Sequence, residues 1–211
     1  MLGGFLWLHI SAFRERIREH ACVEHLRRIS MAIYLYAKEY DKFPPSFSAA
    51  SDGKPLHSWR VLILPYMGFA DLYQSIRLHE EWGSDYNKQF HDKMPADFSC
   101  PACTATASKQ YTNYCMILNK QALGNTDGYT LNDIIGVNSK FIVLVERQMP
   151  ICWMYPVDIL QSDALLGVNK LDQGIGSNHK AGANAILSDF SSHTMPKNID
   201  KKKLKSMLSA K

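Results

Sequence analysis

Three groups of residues carry types and spacings that bear on chemistry. The first is His179, followed after nine residues by Asp189. An imidazole and a carboxylate can serve as a base and its orienting partner, but a hydrolase built on them also needs a nucleophile. Ser177 and Ser188 are nearby in sequence, and neither sits in a Gly-x-Ser-x-Gly elbow. The structural reading is favoured: the histidine hydrogen-bonds the loop that enters a strand, and the aspartate accepts backbone N–H groups in a turn. The second group is Cys100-Pro101-Ala102-Cys103. It can close a local disulfide, hold a metal with two further ligands, or remain reduced in a turn. Structural zinc normally draws on a second ligand pair, and no other Cys-x-x-Cys or His-x3-His occurs. His91 and Cys115 could complete such a site, but a turn or local disulfide is favoured, and no metal or other cofactor is expected. The third group is Trp153 with Tyr155, in a Pro-bounded segment that forms either an exposed recognition surface or a packed lid.

Other patterns say less. Asp163, Asp172 and Asp189 could offer oxygen ligands, but not at the spacing of a known calcium loop. The odd count of five cysteines excludes a fully paired disulfide scaffold. The net charge of +4 is concentrated in a lysine-rich tail, Lys197 to Lys211, with no interleaved aromatic residues to stack bases. A solvated helix face is therefore expected there, and no nucleic-acid partner.

The elements that must position these residues follow from periodicity. Apolar residues at Phe13, Ile17, Val23, Leu26, Ile29, Ile33, Tyr36 and Tyr40 mark one stripe of a long helix. Phe43-Pro44-Pro45 ends that helix near Asp41. Residues 46–55 read as a flexible connection, Trp59–Tyr66 as one or two helical turns broken at Pro65, and Asp71–Glu81 as a second helix. A further helix is expected over Tyr86–Lys93. Tyr111–Leu118 and Phe141–Glu146 read as strands, the latter central and covered on both sides because no polar residue interrupts Phe141–Val145. Ala185–Asp189 and Ser192–Met195 form a hairpin around Phe190-Ser191. A helix over Lys201–Ser209 closes an α+β chain with an antiparallel sheet: residues 1–40 as a helix, 41–211 as a head domain. Leu2–Ile10 is apolar for nine positions, where crossing a bilayer takes about 20. The abrupt change to Arg14-Glu15-Arg16 is that of a membrane helix leaving the hydrocarbon, so Leu2–Ile10 reads as the end of a longer anchor.

The order of Cys22, Phe43-Pro44-Pro45, Asp52–Val61, Leu64-Pro65-Tyr66, Phe98–Pro101, Thr112-Asn113-Tyr114, Val143–Glu146, Trp153–Asp158, His179 and Asp189 resembles a bacterial pseudopilin-like family of unknown function. That family carries a prepilin-type helix and a C-terminal His-x9-Asp-Gly signature. The resemblance implies a pilin-like fold, a helix held in the inner membrane, and a head outside the cytoplasm. It also implies a non-enzymatic role by self-association or assembly with other pilin-like subunits. Alternatives are a glycan- or protein-binding module using Trp153, and a hydrolase using His179 and Asp189. The chain departs from the pattern at His9, where a peptidase-site glutamate is expected, and at Phe190, where the signature has glycine. A turn there that demands positive φ must be rebuilt or shifted.

Overall fold

A computed structural model describes residues 2–103, 109–118, 130 and 140–208, with side chains from residue 9 onward. The first helix, α1, runs Leu2–Tyr40. It stops where expected, at Asp41 in the left-handed region (φ 55), just before the prolines. No described helix is long and apolar enough to cross a membrane.

The face that α1 turns inward follows the predicted stripe from Leu26 to Tyr36 and departs from it before and after. Leu26, Ile29, Ala32, Ile33 and Ala37 are buried, and burying each large aliphatic side chain contributes roughly 1.5–3 kcal/mol. Exposed pairs such as Arg28–Asp97 (3.1 Å) contribute about 0–1 kcal/mol, so apolar packing attaches the helix. Phe13 and Ile17 are 65% and 53% exposed, and Tyr40 is also exposed. In the first half of the helix the partly covered positions are Ser11, Glu15 and Glu19, spaced to lead into Cys22 and Leu26. The contact seam is thus polar at its start, which hides it from a count of apolar residues.

Residues 46–55 are a correction as well. Phe47–Ala49 (β1) pairs antiparallel with Pro55–Ser58 (β2) around a turn in which Asp52 accepts the N–H of Lys54. Trp59–Leu62 (α2) follows, capped by Ser58, and then a 3-10 turn at Leu64–Met67 with Pro65 near its start. The predicted second helix is only Ala70–Ser75 (α3), because Ile76 turns extended (ψ 132) and buries its side chain. Asn87–Lys93 is 3-10 rather than α-helical.

The sheet consists of Tyr111–Cys115 (β3), Ile142–Cys152 (β5), Ala183–Leu187 (β7) and Ser192–Met195 (β8), all antiparallel in the order β3-β5-β7-β8. Between β3 and β5 lies Ile117–Leu118 (β4), which pairs in parallel with Ile159–Leu160 (β6). Gln161–Ala164 (α4) follows β6, and Lys201–Met207 (α5) packs last, capped by Asp200. The predicted end of that helix at Ser209 lies outside the described residues.

Strand alternation separates two cores. Tyr114, Leu144 and Ile186 join the core under α1, whereas Cys115, Val145, Ala185 and Leu187 join one that contains Leu204 and Met207 of α5. The architecture is therefore α+β, with the central strand covered on both faces as expected. A register shift between Ile142 and Leu144 lets Val143 and Leu144 share the α1 side.

A buried charge pair joins α2 to this sheet. Arg60 Nη2 donates to Asp158 Oδ1 (2.8 Å) and to the carbonyl of Tyr114 (2.7 Å), while Arg60 Nη1 donates to Ser58 Oγ (2.6 Å). Asp158 also accepts from Trp59 Nε1 (3.0 and 3.1 Å) and from the N–H of Met116 (2.9 Å). Asp158→Ala leaves a guanidinium and two N–H groups without their acceptor and is expected to cost about 3–5 kcal/mol in urea unfolding. A cost below about 1 kcal/mol contradicts this role.

His57 generates a second expectation. Its ring is buried, with Nε2 donating to the carbonyl of Arg77 (3.3 Å) and Nδ1 left with no partner. Burial holds its pKa below the usual histidine value. The unfolded chain therefore takes up a proton near pH 6.5 that the folded chain refuses, so this residue's contribution is present at neutral pH and is lost as pH falls. Unfolding free energies at about pH 7 and about pH 5 are expected to differ less in His57→Gln than in the parent chain.

Candidate functional site

The densest gathering of reactive side chains lies where α1 meets the sheet. Four elements each contribute one residue: Cys22 from α1, Cys100 from the loop after Phe98, Glu146 from the middle of β5, and His179 from the loop before β7. All four are buried, and one ligand-type atom from each lies within 4.8 Å of the others. Glu146 Oε1 is 3.2 Å from Cys22 Sγ, 3.1 Å from Cys100 Sγ and 3.8 Å from His179 Nε2. Cys100 Sγ and His179 Nε2 are 3.6 Å apart.

Three of the four side chains are anchored from behind. The N–H of Asn184 donates to Glu146 Oε2 (2.7 Å), which leaves Oε1 facing the others. Tyr114, paired across the sheet with Glu146, donates its hydroxyl to Cys22 Sγ (3.3 Å), and Asn184 Nδ2 donates there too (3.5 Å). Glu15 accepts from His179 Nδ1 (3.1 Å) and from the N–H of Lys180 (3.2 Å). Because a carboxylate only accepts, Nδ1 carries a proton, and Nε2 is the nitrogen turned to the centre.

The electrostatics follow from burying three acids beside one base. Burial, reinforced by the Cys22 thiolate, pushes the Glu146 carboxyl up to about 8. The hydrogen bond from Cys100 holds Cys22 well below the usual thiol range against the opposing effect of burial, and donating that bond, together with burial, drives Cys100 upward. Burial opposes a charge on His179, but the Cys22 thiolate and the carboxylates of Glu146 and Glu15 outweigh it and raise the imidazole to about 9. Glu15 itself is lowered because the bonds from His179 and Lys180 outweigh its burial. The centre thus gathers three acidic groups around one imidazole.

Several sequence expectations are corrected here. Cys100 and Cys103 form a turn, with the N–H of Cys103 donating to the carbonyl of Cys100 (3.0 Å), and none of the five cysteines is in a disulfide. Cys100 faces Cys22, while Cys103, Cys115 and His91 stand outside the cluster. Asp189 has the structural role expected of it, accepting a backbone N–H in its turn, and it is not the partner of His179 that the hydrolase alternative needs. Asp189 sits at the β7–β8 turn, accepting from the N–H and hydroxyl of Ser191 (3.1 and 2.5 Å) and pairing with Lys140, and Lys140 and Ser191 lower its pKa to about 2 against the effect of burial. The turn is not rebuilt for want of glycine: Phe190 itself takes φ 63, and its ring packs edge-on against Tyr34. Asp163 and Asp172 join no metal-ligand group among the described residues.

Trp153 is 0% exposed, stacked on Phe98 and donating Nε1 to the carbonyl of His91 (3.1 Å), so it is core and not a recognition surface. Tyr155 is 39% exposed and rests on Trp82. Glu146 does not end its strand, and nothing in the apolar periodicity marks Cys22 and Glu15 as more than parts of a helix. The signal for them is polar: Glu15, Glu19 and Cys22 interrupt one helical face at spacings of four and three.

Since His179 and Asp189 have no bonding partner in common, their effects should be independent. In a double-mutant cycle of His179→Ala and Asp189→Ala, read by chemical denaturation, the coupling is expected to stay within about 0.5 kcal/mol. A larger value restores them as a functional pair.

No curated protein and no solved structure matches this sequence. Residues 11–139 match a family described as a protein of unknown function (DUF1559). The match takes in Glu15, Cys22, Arg60, Cys100 and Tyr114, and stops before Glu146 and His179. Matched over more than half of its length, the chain belongs to the DUF1559 family.

Proposed function

We propose that the chain is a non-enzymatic, pseudopilin-like subunit of the cell envelope that acts through helix-mediated assembly. The observation that carries this reading is the state of the first half of α1. No residue from His9 to Ala21 is buried, and Ile10, Phe13 and Ile17 present apolar side chains to solvent on a helix whose later turns are packed into the head. Exposed apolar side chains at helical spacing suit packing against another helix, whether a sister copy or a related subunit. In this reading the α+β head is carried outside the cytoplasm while the helix is held at the inner membrane or within a bundle.

The two alternatives have less support. A glycan- or protein-binding module using Trp153 would need a ring that is enclosed in the core. A hydrolase using His179 and Asp189 would need a shared pocket, and their side chains serve different neighbours.

The test is self-association of the whole gene product, with fractionation of the cells that make it. Phe13→Arg with Ile17→Arg is expected to weaken association in analytical ultracentrifugation, while unfolding free energy changes by no more than about 0.5 kcal/mol, as for exposed sites. A parent chain that is monomeric at all concentrations and is recovered with the cytosol overturns the proposal.

A further inference from the structure

We infer that Cys22, Cys100, Glu146 and His179 form a closed, structural zinc site that staples the N-terminal helix to the head. This inference is independent of the assembly reading, since it concerns how one chain is held together.

The donor set comes first. Two thiolates, an imidazole nitrogen and one carboxylate oxygen are the ligand types of tetrahedral zinc, and the two sulfurs argue against magnesium or calcium, which take oxygen ligands. Geometry comes second. With Zn–S near 2.3 Å and Zn–N or Zn–O near 2.1 Å, the edges of a tetrahedral site are about 3.4–3.8 Å long. Four of the six separations among these atoms are 3.1, 3.2, 3.6 and 3.8 Å, so the two edges from Glu146 to sulfur must lengthen and the edge from Glu146 to His179 shorten, each by about 0.4–0.5 Å. The two edges from Cys22 to Cys100 and to His179 lie within 4.8 Å. The third observation is the anchoring. His179 is held through Nδ1 by Glu15, the carboxylate–histidine arrangement that orients metal-bound imidazoles and raises their basicity. Glu146 is held through Oε2, and Cys22 receives two hydrogen bonds to its sulfur.

Charge completes the argument. Two thiols and a carboxyl buried around one point repel one another once ionised, and a single imidazolium offsets one charge. A divalent cation at their common centre offsets two of the three negative charges of the two thiolates and the carboxylate, displacing the protons still held by the thiols and the carboxyl and the proton on Nε2 as it binds. Because four side chains fill the tetrahedron and all are buried, no position is open to substrate, so the role is structural. The ligands arise from four elements far apart in sequence, which is why no local motif announces the site.

The test uses the full chain, purified reduced and metal-free, with Zn2+ and Co2+ as probes. The expected result is one ion per chain, a rise in thermal midpoint on adding zinc, and a cobalt spectrum with thiolate-to-metal charge-transfer bands. Cys22→Ser and Cys100→Ser should remove or halve those bands, whereas Cys103→Ser, one turn away but outside the cluster, should leave them unchanged. Glu15→Gln should weaken zinc binding by about 10- to 100-fold while retaining the same cobalt spectrum. The cobalt spectrum of the parent chain reports thiolate ligation even if a cysteine variant fails to fold. Three outcomes overturn the inference. They are a folded, reduced chain that binds neither ion, binding that is unweakened by Cys22→Ser and Cys100→Ser, and a Cys22–Cys100 disulfide whose reduction yields no metal affinity.

Discussion

A carboxyl group in the middle of a central, doubly covered strand cannot be buried at low cost without partners, and the partners of Glu146 determine how the rest of the chain meets it. Desolvating an ionised carboxylate costs several kcal/mol unless hydrogen bonds replace its water. One oxygen is satisfied by the backbone of β7, whereas the other is directed toward α1, the Cys100 loop and the His179 loop. Once Cys22 must face Glu146, the rotation of a 39-residue helix is settled along its length. At about 100° per residue, Leu26, Ile29 and Ile33 then fall on the buried side, Glu15 reaches His179, and Phe13 and Ile17 turn to solvent.

The second buried network solves a different problem. Arg60 and Asp158 balance each other's charge, and their remaining bonds go to Ser58, Trp59, Tyr114 and Met116. It therefore ties α2 to the sheet as a neutral unit. The cluster at Glu146 is rich in acid by contrast, and Glu146, Cys22 and His179 are held from behind where the four donor atoms converge. Tyr114 bridges the two: its carbonyl accepts from Arg60, and its hydroxyl donates to Cys22. The separated segments that carry the sequence resemblance, from Cys22 through Ser58-Trp59-Arg60 to His179, meet in these two interior networks. Asp189 does not join them, since it stabilises an exposed turn.

Features governed by local backbone chemistry were legible in the sequence. The prolines after Phe43 end α1, the uninterrupted run Phe141–Val145 is central, and the hairpin closes at Phe190-Ser191. Features governed by partners distant in sequence were not legible. The spacing of Cys100 and Cys103 suggested a local relation, but the tertiary neighbours of Cys100 come from 46 and 79 residues downstream, Glu146 and His179. The apolar stripe of α1 takes in Phe13 and Ile17, which stay exposed, because apolar count cannot distinguish a face that packs on its own head from one that remains bare. Trp153 and Phe190 show the same limit. Burial of the first depends on Phe98, and the left-handed backbone of the second, at about 1–2 kcal/mol, is opposed by ring contact with Tyr34.

Apolar packing and the polar cluster contribute different things to the junction of helix and head. The burial of Leu26, Ile29 and Ile33 is the larger energy, but it is non-directional, and an α-helix presenting small and aliphatic residues can slide or rotate on a sheet at modest cost. Hydrogen bonds to one oxygen of Glu146 and one nitrogen of His179 have no such latitude, because a displacement of a single residue leaves a buried acid and a buried base without partners. The cluster also lies at the boundary where α1 stops being packed, since no residue from His9 to Ala21 is buried. A head joined to its helix by apolar contact alone would take a range of orientations about that boundary. With the cluster formed, the exposed face of Phe13 and Ile17 keeps one direction relative to the head, and any neighbour that binds this face meets the head in one orientation.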